Sequence, residues 1–269
     1  MKIFKSFKIL NKEIKLNKSI GFVPTMGSLH SGHLSLIKDA KKKCKKVVVS
    51  IFINPSQFND RKDFNRYPRN FNKDIKILKK LKVNFLFLPN ENEIYRSGIK
   101  KKINISKKDR VLCAKKRKGH FEGVLAVIAR FLQNIDVNYL YLGEKDFQQV
   151  FLINKYLKNK YKIKIITCKT VRNKYKLPLS SRNKLLTKNL LKKSEAISSL
   201  LFKFKKEISI NFNNIKMMNF YKSKIKNLCT KIEYFEIRNL NNLSKRFSMN
   251  NYKIFIAYRQ KNIRLIDNI

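Results

Sequence analysis

Residues 21–33 read GFVPTMGSLHSGH: an apolar run, a turn holding Pro24 and Gly27, and an apolar-periodic segment that opens on His30 and His33. Apolar strand, glycine turn and helix in that order make the first half of a βαβ unit. The spacing predicts a strand at about residues 19–23 and a helix over 31–43, and the β-branched run VVVSIFI, residues 47–53, reads as a strand covered on both faces. Outward from there the alternation continues, with a helix over 71–81 that sets Ile75, Leu78 and Leu81 on one face, and a strand over 83–88 stopped by Pro89. A helix at 123–135, a strand at 139–142, a helix at 147–158 and a strand at 163–168 follow. Strands alternating with helices imply a parallel sheet with helices on both faces.

Beyond Arg182 the pattern changes. Lysine-rich helical segments at 188–206 and 215–228 precede strand candidates at 231–238, 253–258 and 264–267. The expectation is an α/β chain: a Rossmann-like parallel-sheet domain over residues 1–175 and a smaller α+β lid domain over 176–269.

Composition bounds the partners. Lys and Arg number 63 against 17 Asp and Glu, a formal net charge of +46. By itself such a charge suggests a nucleic-acid partner. Lysine is abundant together with Asn, Ile and Phe while Gly (7), Pro (5) and Trp (0) are scarce, and the lysines are interleaved with apolar residues rather than gathered in a stripe. The charge therefore reads as compositional drift, with salt-sensitive, nonspecific adhesion to polyanions as its consequence and no specific nucleic-acid partner. The chain shows neither an apolar leader nor an uncharged apolar stretch of about 18 residues, so a soluble, cytoplasmic protein with no membrane partner is expected. Cys44, Cys113, Cys168 and Cys229 form no CxxC pair and read as reduced, mostly buried thiols.

All seven glycines lie at or before Gly143, and five of them fall in the short segments that hold the three histidines. In so glycine-poor a chain they mark places where the backbone needs positive φ or close approach to a ligand. In GFVPTMGSLHSGH a glycine turn can bring N–H groups near phosphate oxygens, and the following helix contributes a partial positive charge at its start. His30 and His33, three apart, project from one helix face and can donate to one triphosphate, stabilising charge that builds as an α-phosphorus is attacked. HxGH in this setting implies nucleotidyl transfer and leaves the acceptor open, so another HxGH adenylyltransferase remains the alternative at this point.

PTMGSLHSGH resembles the ATP-binding motif of the pantothenate synthetase family, within the nucleotidylyltransferase superfamily. SIFINPSQF (residues 50–58) with DFNRYPRN (63–70) is similar to that family's pantoate-binding strand and loop. RKGHFEGV (117–124) resembles its RPGHFxGV segment, LGEKDFQQV (142–150) its GEKDxQQ motif, LSSRN (179–183) its phosphate-side loop, and RLIDNI its end, so the resemblance spans nearly the whole chain. It implies condensation of (R)-pantoate with β-alanine through a pantoyl-adenylate, with ATP and Mg²⁺, in a homodimer. It assigns ATP to Met26, Gly27, His30, His33, Gly143, Glu144, Lys145, Asp146, Val171, Leu179, Ser180, Ser181 and Arg182. Of these, His30, His33, Lys145 and Arg182 are the catalytic set; pantoate and β-alanine go to Asn54, Gln57 and Gln149, and no resident metal ligand is assigned. The family usually reads VRxxDGLALSSRN where this chain has VRNKYKLPLSSRN, so Tyr175 and Lys176 replace Asp-Gly and Pro178 replaces a small residue.

Overall fold

The alternation read from the sequence closes into one parallel sheet. In the computed structural model, which describes residues 1–15, 19–95, 103–210 and 214–269, two units form: Met1–Arg110 with Arg117–Lys169, and Val111–Lys116 with Thr170–Ile269. The first holds β1 (Lys2–Phe4), β2 (Ile20–Thr25), β3 (Lys46–Ile51), β4 (Phe85–Phe87), β5 (Tyr139–Gly143) and β6 (Lys164–Cys168). They pair in the order β1-β4-β3-β2-β5-β6, every pairing parallel. In chain order the helices are α1 (Phe7–Ile14), α2 (Ser31–Lys43), α3 (Arg61–Arg66), α4 (Phe71–Lys80), α5 (Glu91–Ile94), α6 (Leu112–Lys116), α7 (His120–Asn134) and α8 (Phe147–Leu157). Of these α6 lies in the second unit.

Successive strand residues face opposite sides, so β2 and β3 feed two cores at once. On one side Val23, Val49, Ile51, Leu86 and Tyr141 meet Leu36, Ile37 and Ala40 of α2 and Leu78 of α4. On the other, Phe7 of α1 lies 4.8 Å from the Phe87 ring and Phe131 of α7 lies 5.3 Å from Phe22. Fully burying each such side chain contributes about 1.5–3 kcal/mol. That decides α1, since a helix of 8 residues is marginal alone and persists because Phe7, Leu10 and Ile14 are buried. Neither α1 nor β1 stands out in the sequence, because lysines interrupt their apolar positions.

Strand order reverses at β2: β3, β4 and β1 lie to one side, β5 and β6 to the other. The crevice at the carboxyl ends of β2 and its neighbours is where open α/β sheets take ligands. Lys41, Lys42 and Lys43 form the last turn of α2, where cations complement the helix dipole, and Lys41 Nζ donates to the Leu81 carbonyl at 2.6 Å. All four cysteines are free thiols, three of them buried, and burial pushes the Cys168 thiol up to about 12.

The second unit sets α9 (Lys188–Ile210) and α10 (Asn214–Lys226) on an antiparallel sheet of β7 (Lys231–Asn239), β8 (Tyr252–Gln260) and β9 (Ile263–Asn268), in the order β7-β8-β9. Ile197, Leu201, Phe204 and Ile208 recur at helical spacing on one face of α9 and join Phe235, Ile237, Ile254 and Ile256 in a separate core. Asp267 of β9, 4% exposed, takes both arms of the Arg172 guanidinium at 2.9 and 2.8 Å.

Candidate active site

After β2 ends at Thr25 the chain turns through Gly27 (φ 77°) and Ser28 (φ 51°), both left-handed. A Cβ on Gly27 would sit 3.0 Å from both Asp74 Oδ2 and Ile51 Cγ2, so the turn has room and dihedral freedom for glycine alone. Thr25 Oγ1 accepts from the Gly27 N–H at 3.2 Å and donates to the Ser50 carbonyl at 2.8 Å. The Ser28 and Leu29 N–H groups donate to the Asp74 carboxylate at 2.7 and 2.8 Å. The amides that the glycine turn was expected to offer a phosphate are thus bonded inside the protein. What the turn presents instead is the start of α2 and two imidazoles.

His30 is the N-cap of α2, and its Nδ1 accepts from the Gly32 N–H at 3.1 Å. An accepting Nδ1 places the proton of the neutral ring on Nε2, which makes that nitrogen a donor. A Cβ on Gly32 would lie 2.9 Å from His30 Cε1, so the glycine between the histidines is what lets the ring fold over the first turn. The His33 ring follows at 4.1 Å between centroids, tilted 39°. Two half-buried imidazoles at a helix start suit a polyphosphate.

β3 leads into a turn at Pro55–Gln57. Asn54 is 0% exposed; its Nδ2 donates to the Gly123 carbonyl at 3.2 Å and its Oδ1 accepts from Tyr95 Oη at 2.9 Å and Ser56 Oγ at 3.0 Å. Gln57 is held through its main chain: its carbonyl accepts from His120 Nδ1 at 2.6 Å and Arg117 Nη2 at 3.1 Å. With Nδ1–H donating, His120 Nε2 accepts from Arg117 Nη1 at 2.7 Å. The 117–124 segment therefore braces the Gln57 turn rather than forming a second acid–base centre.

β5 ends at Gly143, and a short 3-10 turn, Glu144–Asp146, leads into α8. Lys145 Nζ pairs with Asp146 Oδ1 at 3.2 Å, and Gln149 lies in the first turn of α8. Since β3, β2 and β5 are adjacent parallel strands, the segments after their carboxyl ends, with His30, His33, Gln57, Lys145 and Gln149, emerge along one edge of the sheet.

In the second unit Ser180 caps the 3-10 turn Ser181–Leu185, its Oγ accepting from the Arg182 N–H at 3.3 Å. The divergent turn before it is closed by Asn173, whose Oδ1 accepts from the Tyr175 and Leu177 N–H groups at 3.0 Å each. Lys176 takes φ 68°, the region a glycine would occupy without strain. Pro178 faces Arg172 across an antiparallel bridge, but the bonds run from Leu179 N to Val171 O and from Asn173 N to Leu177 O, 3.0 and 2.9 Å. Its missing N–H is not needed there. Asn173→Ala is expected to lower stability by about 1–2 kcal/mol in urea titration, because two turn N–H groups lose their acceptor; an unchanged midpoint would place the hold on the turn elsewhere.

Asp74, Thr25, Tyr95 and Arg117 were not singled out in the sequence. Asp74 lies in the first turn of α4, after its N-cap Asn70, where an acid reads as an ordinary partner of the helix dipole. Nothing local signals that it reaches back 45 residues to Leu29.

The sequence matches the pantoate-beta-alanine ligase family over residues 2–269. It is 42% identical over 269 residues to pantothenate synthetase of Francisella tularensis subsp. mediasiatica (strain FSC147), covering 98% of this chain and 94% of that one. A solved pantothenate synthetase from Thermus thermophilus superposes with TM-score 0.92 at 28% identity, covering 100% of this chain and 99% of the other. The pantoate-beta-alanine ligase from Francisella tularensis, solved in complex with beta-gamma ATP and beta-alanine, gives TM-score 0.86 at 40% identity over 100% and 97% of the two chains. With HxGH at the strand reversal, the Gln57 turn braced beside it and a family match over nearly every residue, the chain belongs to the pantoate-beta-alanine ligase family.

Proposed function

We propose that this chain condenses (R)-pantoate with β-alanine in an ATP-dependent reaction that releases AMP and pyrophosphate. A carboxylate oxygen of pantoate attacks the α-phosphorus of ATP, and the bond to the bridging oxygen breaks with its electron pair passing to pyrophosphate. The β-alanine amine then attacks the carbonyl of pantoyl-adenylate, AMP leaves, and the nitrogen releases a proton. No enzyme nucleophile takes part, so rate comes from positioning and electrostatics.

The nucleotide half of this reading rests on the His30 imidazole, with Nε2 as donor and its ring tilted against His33 at the start of α2, and the acceptor half on the family match over residues 2–269. His30 and His33 donate to phosphate oxygens and Lys145 neutralises the charge passing to pyrophosphate, with Met26, Gly143, Glu144 and Asp146 beside the nucleotide. Gly27, buried with its N–H held by Thr25, shapes the turn, and the family resemblance assigns Ser180, Ser181 and Arg182 to the same ligand. Val171 and Leu179 serve the adenine. Gln57 and Gln149 take the hydroxyls and carboxylate of pantoate. Asn54, which the resemblance assigns to the same ligand, is fully buried with its amide bonded to Gly123, Tyr95 and Ser56, and is read instead as holding the Gln57 turn. Among the described residues no group of three or more His, Cys, Asp or Glu gathers as a metal site; Mg²⁺ enters with ATP as part of the substrate, bound to its phosphates.

The test is AMP formation with ATP, Mg²⁺, pantoate and β-alanine, each omitted in turn. AMP that requires all of them is the expected result, and AMP formed without pantoate or without β-alanine would refute it. A homodimer in the cytoplasm is proposed on the family resemblance, with sedimentation equilibrium as the check on assembly.

A further inference from the structure

We propose that Asp74 is a positioning residue for the adenylation step: its carboxylate sets the backbone from which His30 and His33 reach the triphosphate. The proposal rests on the reading of those histidines as phosphate ligands. Asp74 is 2% exposed and commits its two oxygens to successive main-chain donors, Ser28 N at 2.7 Å through Oδ2 and Leu29 N at 2.8 Å through Oδ1. These donors belong to the two residues immediately before His30, and Ser28 is itself the second of two consecutive left-handed residues, Gly27 and Ser28. Ser28 is not a glycine, so nothing intrinsic keeps it in that region, and a bidentate carboxylate is the kind of contact that over-determines such a turn. The last gripped residue, Leu29, directly precedes His30, whose ring is itself pinned to Gly32 N. Displacing the turn therefore displaces the donor.

The same contact decides what the anion meets. Glycine turns before a helix usually give their amides to a phosphate, whereas here a protein carboxylate holds them first. An acid so close to a polyphosphate site would ordinarily repel the ligand. Asp74 sits in the first turn of α4 with both oxygens bonded to the Ser28 and Leu29 N–H groups, so its charge faces the positive ends of peptides. Its work is to aim the histidines, and the histidines meet the nucleotide.

Asp74→Asn keeps the shape but turns an N–H₂ toward one of the two main-chain donors. Pantoate-dependent pyrophosphate release is measured at a temperature where circular dichroism shows the variant folded, together with ¹H–¹⁵N correlations of the imidazoles. The expected result is a fall of about tenfold or more in kcat/KM for ATP, carried mainly by kcat, with the pantoate KM within about threefold of the unsubstituted chain and the His30 ring resonances shifted. A smaller fall, unmoved imidazole signals, or a pantoate KM that rises beyond that bound overturns the proposal. If Asp74→Asn does not fold, Asp74→Glu, which keeps the charge one methylene away, is read by the same criteria, and failure of both to fold assigns the carboxylate to folding alone and also overturns it. His33→Ala run in parallel separates the two ideas: loss there with an unaffected Asp74→Asn removes only this proposal, whereas an unaffected His33→Ala removes the reading beneath it.

Discussion

His33→Ala loses about a hundredfold to a thousandfold in pantoate-dependent pyrophosphate release, the cost of removing one preorganised donor from a developing oxyanion, while keeping its fold. That range corresponds to about 2.7–4 kcal/mol of transition-state stabilisation. The fold is spared because His33 is only half-buried in the first turn of α2, ahead of Leu36, Ile37 and Ala40, the buried residues that fasten this helix to the sheet. The loss falls on kcat more than on the KM for ATP, since charge accumulates on the phosphate oxygens as the bond to pyrophosphate breaks. His30→Ala behaves differently: it removes a donor and also the cap that Gly32 N uses, so a loss of about 1 kcal/mol in stability accompanies the loss of rate. Release at the unsubstituted rate from folded His33→Ala would end the assignment of this pair to the triphosphate.

Much of the architecture is legible where the physics is local. The valine run of β3 and the apolar faces of α2 and α4 announce a covered parallel sheet, and α2 spans Ser31–Lys43, the very stretch its periodicity predicts. The three strands of the second unit, with α9 and α10, also follow from periodicity. β1 and α1 escape notice because Lys2, Lys5, Lys8 and Lys12 break up a pattern that only the packing of Phe4, Phe7, Leu10 and Ile14 reveals. The site divides in the same way. His30, His33, Gln57, Lys145 and Gln149 sit in short motifs whose chemistry can be read in place, but the groups that aim them come from far along the chain. Asp74 reaches Ser28, Tyr95 reaches Asn54, and Arg117 reaches Gln57; periodicity and spacing carry no information about such pairings. The charge illustrates the reverse case, a conspicuous feature of the sequence that contributes helix-end caps such as Lys41 and no ligand group in the proposed site except Lys145 and Arg182.

Gly123→Ala tests that long-range bracing. A Cβ at this position would lie 2.3 Å from the Ser56 carbonyl oxygen and 2.7 Å from its carbon, and both atoms are backbone, so no side chain can swing aside. The start of α7 rests directly on the Pro55–Gln57 turn, tied to it by Asn54 Nδ2 to Gly123 O at 3.2 Å and by His120 Nδ1 to Gln57 O at 2.6 Å. One methyl group must push helix and turn apart by about 1 Å to reach ordinary van der Waals separation. Overpacking of this kind costs about 1–3 kcal/mol, and the rigid neighbour puts this case at the upper end. Because Gln57 rides on the displaced turn, the pantoate KM is expected to rise by about tenfold while the KM for ATP changes less. Gly143→Ala is the internal control for stability: its φ is −82° and a Cβ there meets nothing within 4 Å, so its urea midpoint should shift by no more than about 0.5 kcal/mol equivalent. Should Gly123→Ala match that control in stability and leave the pantoate KM unmoved, the turn is not held by α7, and the Arg117–His120 pair loses its role as the brace of Gln57.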